Sequence, residues 1–235
     1  MNKKIGIFDS GIGGITTYKE ILKLLSNEEY IYYADVKNNP YGEKTQEELH
    51  DINSKIVDYL ISRDVKLIVI ACNTATTNSI EYLRSKYKDI NFVGTEPAIK
   101  VACDKFYKNI LVLATLCTIY SEKTKLLVSR NKKKNQNIYL QACNGLANAI
   151  ENHNDKLIDE LLNKYLSKYK DIDAIVLGCT HYLYIKDKLT NYFPNAKIID
   201  GNYGVAKRVK YILETNNLLN TNNNNNKIIN FITSK

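Results

Sequence analysis

The sequence has no tryptophan, one methionine, three prolines and no two cysteines in CxxC spacing. So few prolines, with 10 glycines in 235 residues, exclude collagen-like and proline-rich chains. The five cysteines (Cys72, Cys103, Cys117, Cys143, Cys179) are odd in number and widely spaced. Neither a disulfide framework nor a zinc knuckle is indicated, and they read as free thiols of a reducing compartment. His50, His153 and His181 show no HxxxH or HxxE spacing, so no metal site is expected. No apolar run approaches the roughly 18 residues of a membrane span, and the opening MNKKIGIFDSG has no signal-peptide core. A cytoplasmic protein without a membrane partner is expected. Lys and Arg exceed Asp and Glu by 33 to 25, a net charge of +8, yet only Arg130 to Lys134 (RNKKK) concentrates that charge. No aromatic residue interleaves there, so the run reads as a solvated loop and no nucleic-acid partner is required.

Short β-branched runs alternate with helical patterns along the whole chain, the signature of an α/β fold with parallel sheets. Strands are expected at Lys4–Phe8, Tyr30–Ala34, Leu67–Ala71, Phe92–Gly94, Asn109–Ala114, Asn137–Ala142, Ala174–Gly178 and Ala196–Ile199. From Thr45 to Arg63 the residues Leu49, Ile52, Ile56, Leu60 and Ile61 share one helix face, and Thr45 and Glu48 have capping-box spacing. Leu157, Ile158, Leu161, Leu162, Tyr165 and Leu166 form a second stripe, read as packing. The run Asn222 to Asn226 can bury nothing and reads as a flexible connector. It leads from a helix at about Val205 to Glu214 into IINFIT, expected as a last strand.

An internal repeat is the most informative feature. DVKLIVIACNT (Asp64–Thr74) and DIDAIVLGCTH (Asp171–His181) align cysteine on cysteine, and KKIGIFDS (Lys3–Ser10) parallels KNILVLAT (Lys108–Thr115). Two related α/β halves follow. Ligands of parallel sheets bind beyond the carboxyl ends of the strands, where Asp9, Ser10, Cys72, Asn73, Thr115, Cys179 and His181 fall.

Two equivalent thiols suit one reaction in particular. A planar carbanion deprotonated on one face and reprotonated on the other is racemised, and a free thiol titrates close enough to neutrality for a thiol and a thiolate to coexist. Asp9 and His181 are candidates to orient or deprotonate them, and helix amino termini after Cys72 and Cys179 would favour thiolate. The glycine-rich turn Asp9 to Gly14 opens a helix and could offer backbone N–H groups to a carboxylate. It matches neither a dinucleotide fingerprint nor a P-loop.

These residues also carry a resemblance. IGIFDSGIGG (Ile5–Gly14), YYAD with NNPYGEKT (Tyr32–Thr45), IACNTAT (Ile70–Thr76), GTEP (Gly94–Pro97) and LGCTHY (Leu177–Tyr182) together resemble the glutamate racemase family of the aspartate/glutamate racemase superfamily, over nearly the whole chain. The resemblance implies two pseudo-symmetric flavodoxin-like α/β domains with mainly parallel sheets, residues 1–97 with 208–235 and residues 98–207, and an active site in the cleft between them. It implies that Cys72 and Cys179 are the acid–base pair, Cys72 serving D-glutamate and Cys179 serving L-glutamate. Asp9 and His181 are similar to the residues that assist them, and Glu151 to a second auxiliary acid. Ser10, Tyr41, Gly42, Asn73, Thr74, Thr115, Thr118 and Thr180, with Asp9 and His181, match or adjoin positions that hold the substrate. No pyridoxal phosphate or other cofactor, a homodimer, and a role in supplying D-glutamate for peptidoglycan are implied as well. Leu183, Asn144 and Asn148 depart from the family, which commonly has prolines there; such prolines mainly fix backbone angles. The alternatives are a racemase of aspartate or another acidic amino acid, and, from another class, a catalytically silent basic protein that binds nucleic acid.

Overall fold

In the computed structural model, which describes residues 3–220 and 229–234, parallel strands alternate with helices throughout. The strands are β1 (Lys4–Asp9), β2 (Tyr30–Ala34), β3 (Val65–Ile70), β4 (Asn91–Gly94), β5 (Asn109–Ala114), β6 (Asn137–Ala142), β7 (Ala174–Gly178), β8 (Lys197–Ile199) and β9 (Ile229–Thr233). The helices are α1 (Ile15–Leu24), α2 (Gln46–Ile61), α3 (Asn73–Lys86), α4 (Ile99–Asp104), α5 (Leu116–Tyr120), α6 (Glu122–Asn131), α7 (Leu146–Glu151), α8 (Asp155–Leu166), α9 (Lys186–Tyr192) and α10 (Asn202–Thr215). Among the described residues, no helix is long and apolar enough to cross a membrane.

The chain divides into two units, one holding the residues up to Thr95 and from Asn202 onward, the other Glu96–Gly201. The return to the first unit thus falls at Asn202, earlier than the 207 read from the sequence. Asn202 is already tied to α1: its Oδ1 accepts from Thr17 Oγ1 at 2.7 Å, and its Nδ2 donates to Thr16 Oγ1 at 3.1 Å.

All pairings are parallel, in the order β4-β3-β1-β2-β9 in the first unit and β6-β5-β7-β8 in the second. Reversed, the second order reads β8-β7-β5-β6 and repeats β4-β3-β1-β2. The repeat reaches the backbone too, since Asp64 and Asp171, which open the two aligned segments, both hold a left-handed φ, 61° and 54°. Aspartate tolerates that region better than most residues.

Successive strand residues feed opposite faces. In the first unit Ile5, Ile7, Leu67 and Val69 pack under α1 and α10, while Phe8, Ile31, Ile68 and Ile70 pack under α2 and α3. In the second, Leu111, Leu113, Ile175 and Leu177 meet α7 and α8, and Ile110, Val112, Ala174 and Val176 meet α4. Thr45 caps α2 as its spacing predicts, accepting from Glu48 N at 3.2 Å while Glu48 Oε2 accepts from Thr45 N at 2.7 Å. The α8 stripe buries Ile158, Leu162 and Leu166, but Leu157 stays 37% exposed because it lies off that face. Arg130 and Lys132 to Lys134 are exposed, as a solvated run should be. The expected last strand forms as β9 beside β2, and the asparagine run Asn222 to Asn226 lies outside the described residues.

One buried polar cluster has no counterpart in the sequence reading. Lys66 on β3 and Glu28 before β2 form an ion pair at 2.6 Å with side chains 3% and 2% exposed. Lys66 Nζ also donates to Leu218 O at 2.6 Å and Asn220 Oδ1 at 2.8 Å, while Glu28 Oε1 accepts from Asn220 N at 2.9 Å. The segment after α10 is thereby fastened to the first sheet.

Candidate active site

Each unit gathers its share of the candidate residues at the carboxyl ends of its two central strands. Phe8 pairs with Ile70 across β1 and β3, so continuing that register sets Ser10 beside Cys72. Their side chains meet, with Cys72 Sγ 3.9 Å from Ser10 Oγ. Ala114 pairs with Gly178 across β5 and β7, which sets Thr115 beside Cys179 in the same way. Each thiol thus stands next to a hydroxyl residue on the neighbouring strand.

In the first unit Cys72 is the N-cap of α3, and its sulfur accepts from Ala75 N at 3.5 Å. An N–H donor and the positive end of a 14-residue helix both favour thiolate. Asn73 and Thr74 follow within the first turn and are buried. Asn73 Oδ1 finds no hydrogen-bond partner among the described residues and remains an available acceptor. Tyr41 is buried in the same core cluster as Cys72, on the short 3-10 turn Tyr41–Glu43 that also carries the half-buried Gly42. Burial above all, and then the charge of Asp35, hold the Tyr41 hydroxyl well above its ordinary range.

Asp9 is fully buried, and its Oδ2 accepts from Gly14 N at 2.5 Å. On the glycine-rich turn, expected to offer N–H groups to an anion, part of the supply is used internally. Gly14 N–H is taken by the chain's own carboxylate, while Ile15 N and Thr16 N donate to Ile12 O and Gly13 O. Gly14 also packs too closely for a side chain: an added Cβ would stand 2.8 Å from Asp9 Cβ, Ala71 Cβ and Tyr32 Oη. Gly14→Ala is therefore expected to cost about 1–3 kcal/mol and to displace Asp9, read as a lower thermal midpoint together with lost turnover.

The second unit is built differently around its thiol. Cys179 Sγ lies 3.8 Å from His181 Nδ1, and His181 Nε2 lies 2.5 Å from Glu151 Oε2 at the end of α7. His181 is 2% exposed and the Glu151 side chain 11%. With Nε2 donating to the carboxylate, Nδ1 turns its lone pair to the sulfur. Sequence reasoning expected a helix amino terminus behind Cys179; the helix there is the six-residue 3-10 helix Thr180–Ile185 with Cys179 at its N-cap, and α9 starts only at Lys186. Cys179 makes no side-chain cap hydrogen bond there, and the polar group beside its sulfur is the His181 imidazole. Thr180 is buried in that 3-10 helix. Thr115 caps α5, accepting from Thr118 N at 3.3 Å and donating to Thr118 Oγ1 at 3.1 Å. Asp9 has no carboxylate counterpart here, because Ala114 occupies the equivalent position.

Cys143, read from the sequence only as one of five free thiols, shares the core cluster of Cys179, and its Sγ donates to Gln141 O at 3.7 Å. Burial, and secondarily the charge of Cys179, push its thiol from 9.0 up to about 12. The fold's preference for the neutral thiol is thus fully present below pH 9.0 and is lost as pH climbs towards about 12. At pH 8 roughly one Cys143 in 10⁴ is thiolate, so iodoacetamide is expected to spare it in the folded protein and label it in urea; labelling of Cys143 at equal rates in both would contradict its burial.

Comparison with known proteins places this arrangement in context. The profile of the family described as Asp/Glu/Hydantoin racemase matches residues 5–208. A glutamate racemase of Clostridium botulinum (strain Alaska E43 / Type E3) is 42% identical over 226 residues, covering 94% of this chain and 87% of its own. One from Clostridium acetobutylicum is 39% identical over 232 residues, covering 97% and 90%. The solved glutamate racemase of Francisella tularensis in complex with D-glutamate superposes with a TM-score of 0.84 at 30% identity, covering all of this chain and 89% of its own. Isoform RacE1 from Bacillus anthracis gives 0.85 at 28% identity, with coverage of 99% and 89%.

Proposed function

The chain belongs to the Asp/Glu/Hydantoin racemase family, and from that premise we propose that it interconverts L-glutamate and D-glutamate by a two-base transfer of the Cα proton between Cys72 and Cys179. One observation carries the chemistry: thiols at equivalent strand ends of two equivalent sheets, Cys72 accepting from Ala75 N and Cys179 beside His181 Nδ1. Glutamate is named because the relatives that share about 40% of their residues with this chain bear that activity.

From L-glutamate, the Cys179 thiolate removes the proton at Cα, and the Cys72 thiol returns a proton to the opposite face. D-glutamate runs the sequence in reverse. Each turnover leaves one sulfur protonated and the other not, so the pair is reset by proton exchange with solvent or by the reverse reaction. His181 Nδ1 is the group that takes up the Cys179 proton, and Glu151 holds the imidazole in the needed tautomer and offsets its charge. At Cys72 the α3 terminus supports the thiolate, with Asp9 as the neighbouring acid. Ser10, Tyr41, Gly42, Asn73, Thr74, Thr115, Thr118 and Thr180 bind the carboxylates and the ammonium, the open acceptor Asn73 Oδ1 being suited to the ammonium alone. Charge that develops on the carbanion is met by such hydrogen bonds, so the reading uses no pyridoxal phosphate. A cytoplasmic homodimer supplying D-glutamate for peptidoglycan completes it.

The test is polarimetry of L-glutamate and, separately, L-aspartate with purified protein and no added cofactor. Rotation of glutamate alone should fall to zero. Loss of aspartate rotation instead would move the substrate, and no change with either would overturn the reading.

A further inference from the structure

Asp35, which closes the YYAD motif of the resemblance but received no role from it, stands one residue beyond β2 and is 1% exposed. Its backbone N–H donates to Asp9 O at 2.9 Å, binding it to the end of β1. Tyr41 Oη donates to Asp35 Oδ2 at 2.6 Å, and Asn38 Nδ2 donates to Oδ1 at 3.0 Å and to Oδ2 at 2.9 Å. Each of these partners of the carboxylate is a donor, an arrangement that suits an acceptor-only group. Tyr41 in turn is buried against Cys72, and the charges of Cys72 and Asp9 both reach its hydroxyl.

We propose that Asp35 is a positioning residue for the Cys72 half of the reaction. It fixes the Tyr41 hydroxyl proton on itself and, through its own amide, holds the carbonyl of Asp9, so that Tyr41 and Asp9 face the thiol in one arrangement only. Without it, the buried Tyr41 hydroxyl must seek another acceptor, and the thiolate of Cys72 is the anionic candidate in its cluster. This inference rests on the two-thiol racemase reading and deepens it. Asparagine at 35 would set an amide N–H against groups that are themselves donors.

A racemase has an equilibrium constant of one, so kcat/KM must fall equally for both enantiomers whatever is damaged. The discriminating readout is which proton transfer limits the rate. In Asp35→Asn, kcat/KM is expected to fall roughly 10- to 100-fold. The primary isotope effect should rise with D-[2-²H]glutamate, which Cys72 deprotonates, and shrink with L-[2-²H]glutamate. Tyr41→Phe, which removes only the hydroxyl, should shift the isotope effects the same way, and adding Asp35→Asn to it should cost little more. Unchanged isotope effects in Asp35→Asn, or a double variant as poor as the product of the two single losses, would overturn the proposal while leaving a racemising wild type intact. A wild type inert towards glutamate would remove the racemase reading and this inference with it.

Discussion

Cys72→Ser and Cys179→Ser are each expected to lower the rate of inversion by about 10²–10⁴-fold, the worth of a positioned acid or base. Serine keeps the size and the hydrogen-bonding geometry but not a proton that leaves near neutral pH. In the two-base scheme each variant retains one working thiol, and one thiol can only return a proton to the face from which it came. Residual Cα exchange with D₂O should therefore be confined to L-glutamate in Cys72→Ser and to D-glutamate in Cys179→Ser. Inversion near the wild-type rate in either variant, or exchange of both enantiomers in one of them, would contradict the division of labour. Glu151→Gln should resemble a weakened Cys179→Ser, because the carboxylate acts on that thiol through His181.

Lys66→Met is expected to be the most destabilising single substitution considered, although Lys66 lies on the sheet far from any proton transfer. It would strand the Glu28 carboxylate, 2% exposed, without its cation and leave Leu218 O and Asn220 Oδ1 without their donor. Breaking a buried pair from one side costs about 3–5 kcal/mol. At about 2–4 °C per kcal/mol for a chain of this size, the thermal midpoint should drop on the order of 10 °C. Adding Glu28→Leu should recover part of that loss by removing the stranded charge. A midpoint shift under about 2 °C for Lys66→Met alone would show that the cluster fastens nothing.

The strands were legible because each is a short β-branched run between polar punctuation, and α2 because Thr45 and Glu48 cap it by local spacing alone. Cys72 and Cys179 were legible for another reason: the repeat makes two individually ordinary cysteines equivalent. What local pattern cannot carry is a partner chosen by tertiary structure. Glu151 entered only through resemblance, and its contact with His181, the Asp35–Tyr41 bond and the Glu28–Lys66 pair did not enter at all. Asp35 had a signal in its place directly after a strand, the position that selected Asp9. On the glycine-rich turn, local pattern could not show that Asp9 itself takes Gly14 N–H. The helix expected behind Cys179 opens as a 3-10 helix before α9, and nothing in the composition of THYLYI distinguishes that from an α-helix.

The two-base claim is tested most directly by the fate of the Cα hydrogen in the first turnovers of the unmodified protein in D₂O, starting from protiated L-glutamate and separating the enantiomers by chiral chromatography before mass spectrometry. Removal by one thiol and delivery by another predicts that the D-glutamate formed carries deuterium at Cα from the start, while the remaining L-glutamate carries almost none. D-glutamate that retains the original protium, or deuterium appearing as fast in recovered L-glutamate as in the product, would point to a single base serving both faces and contradict the account.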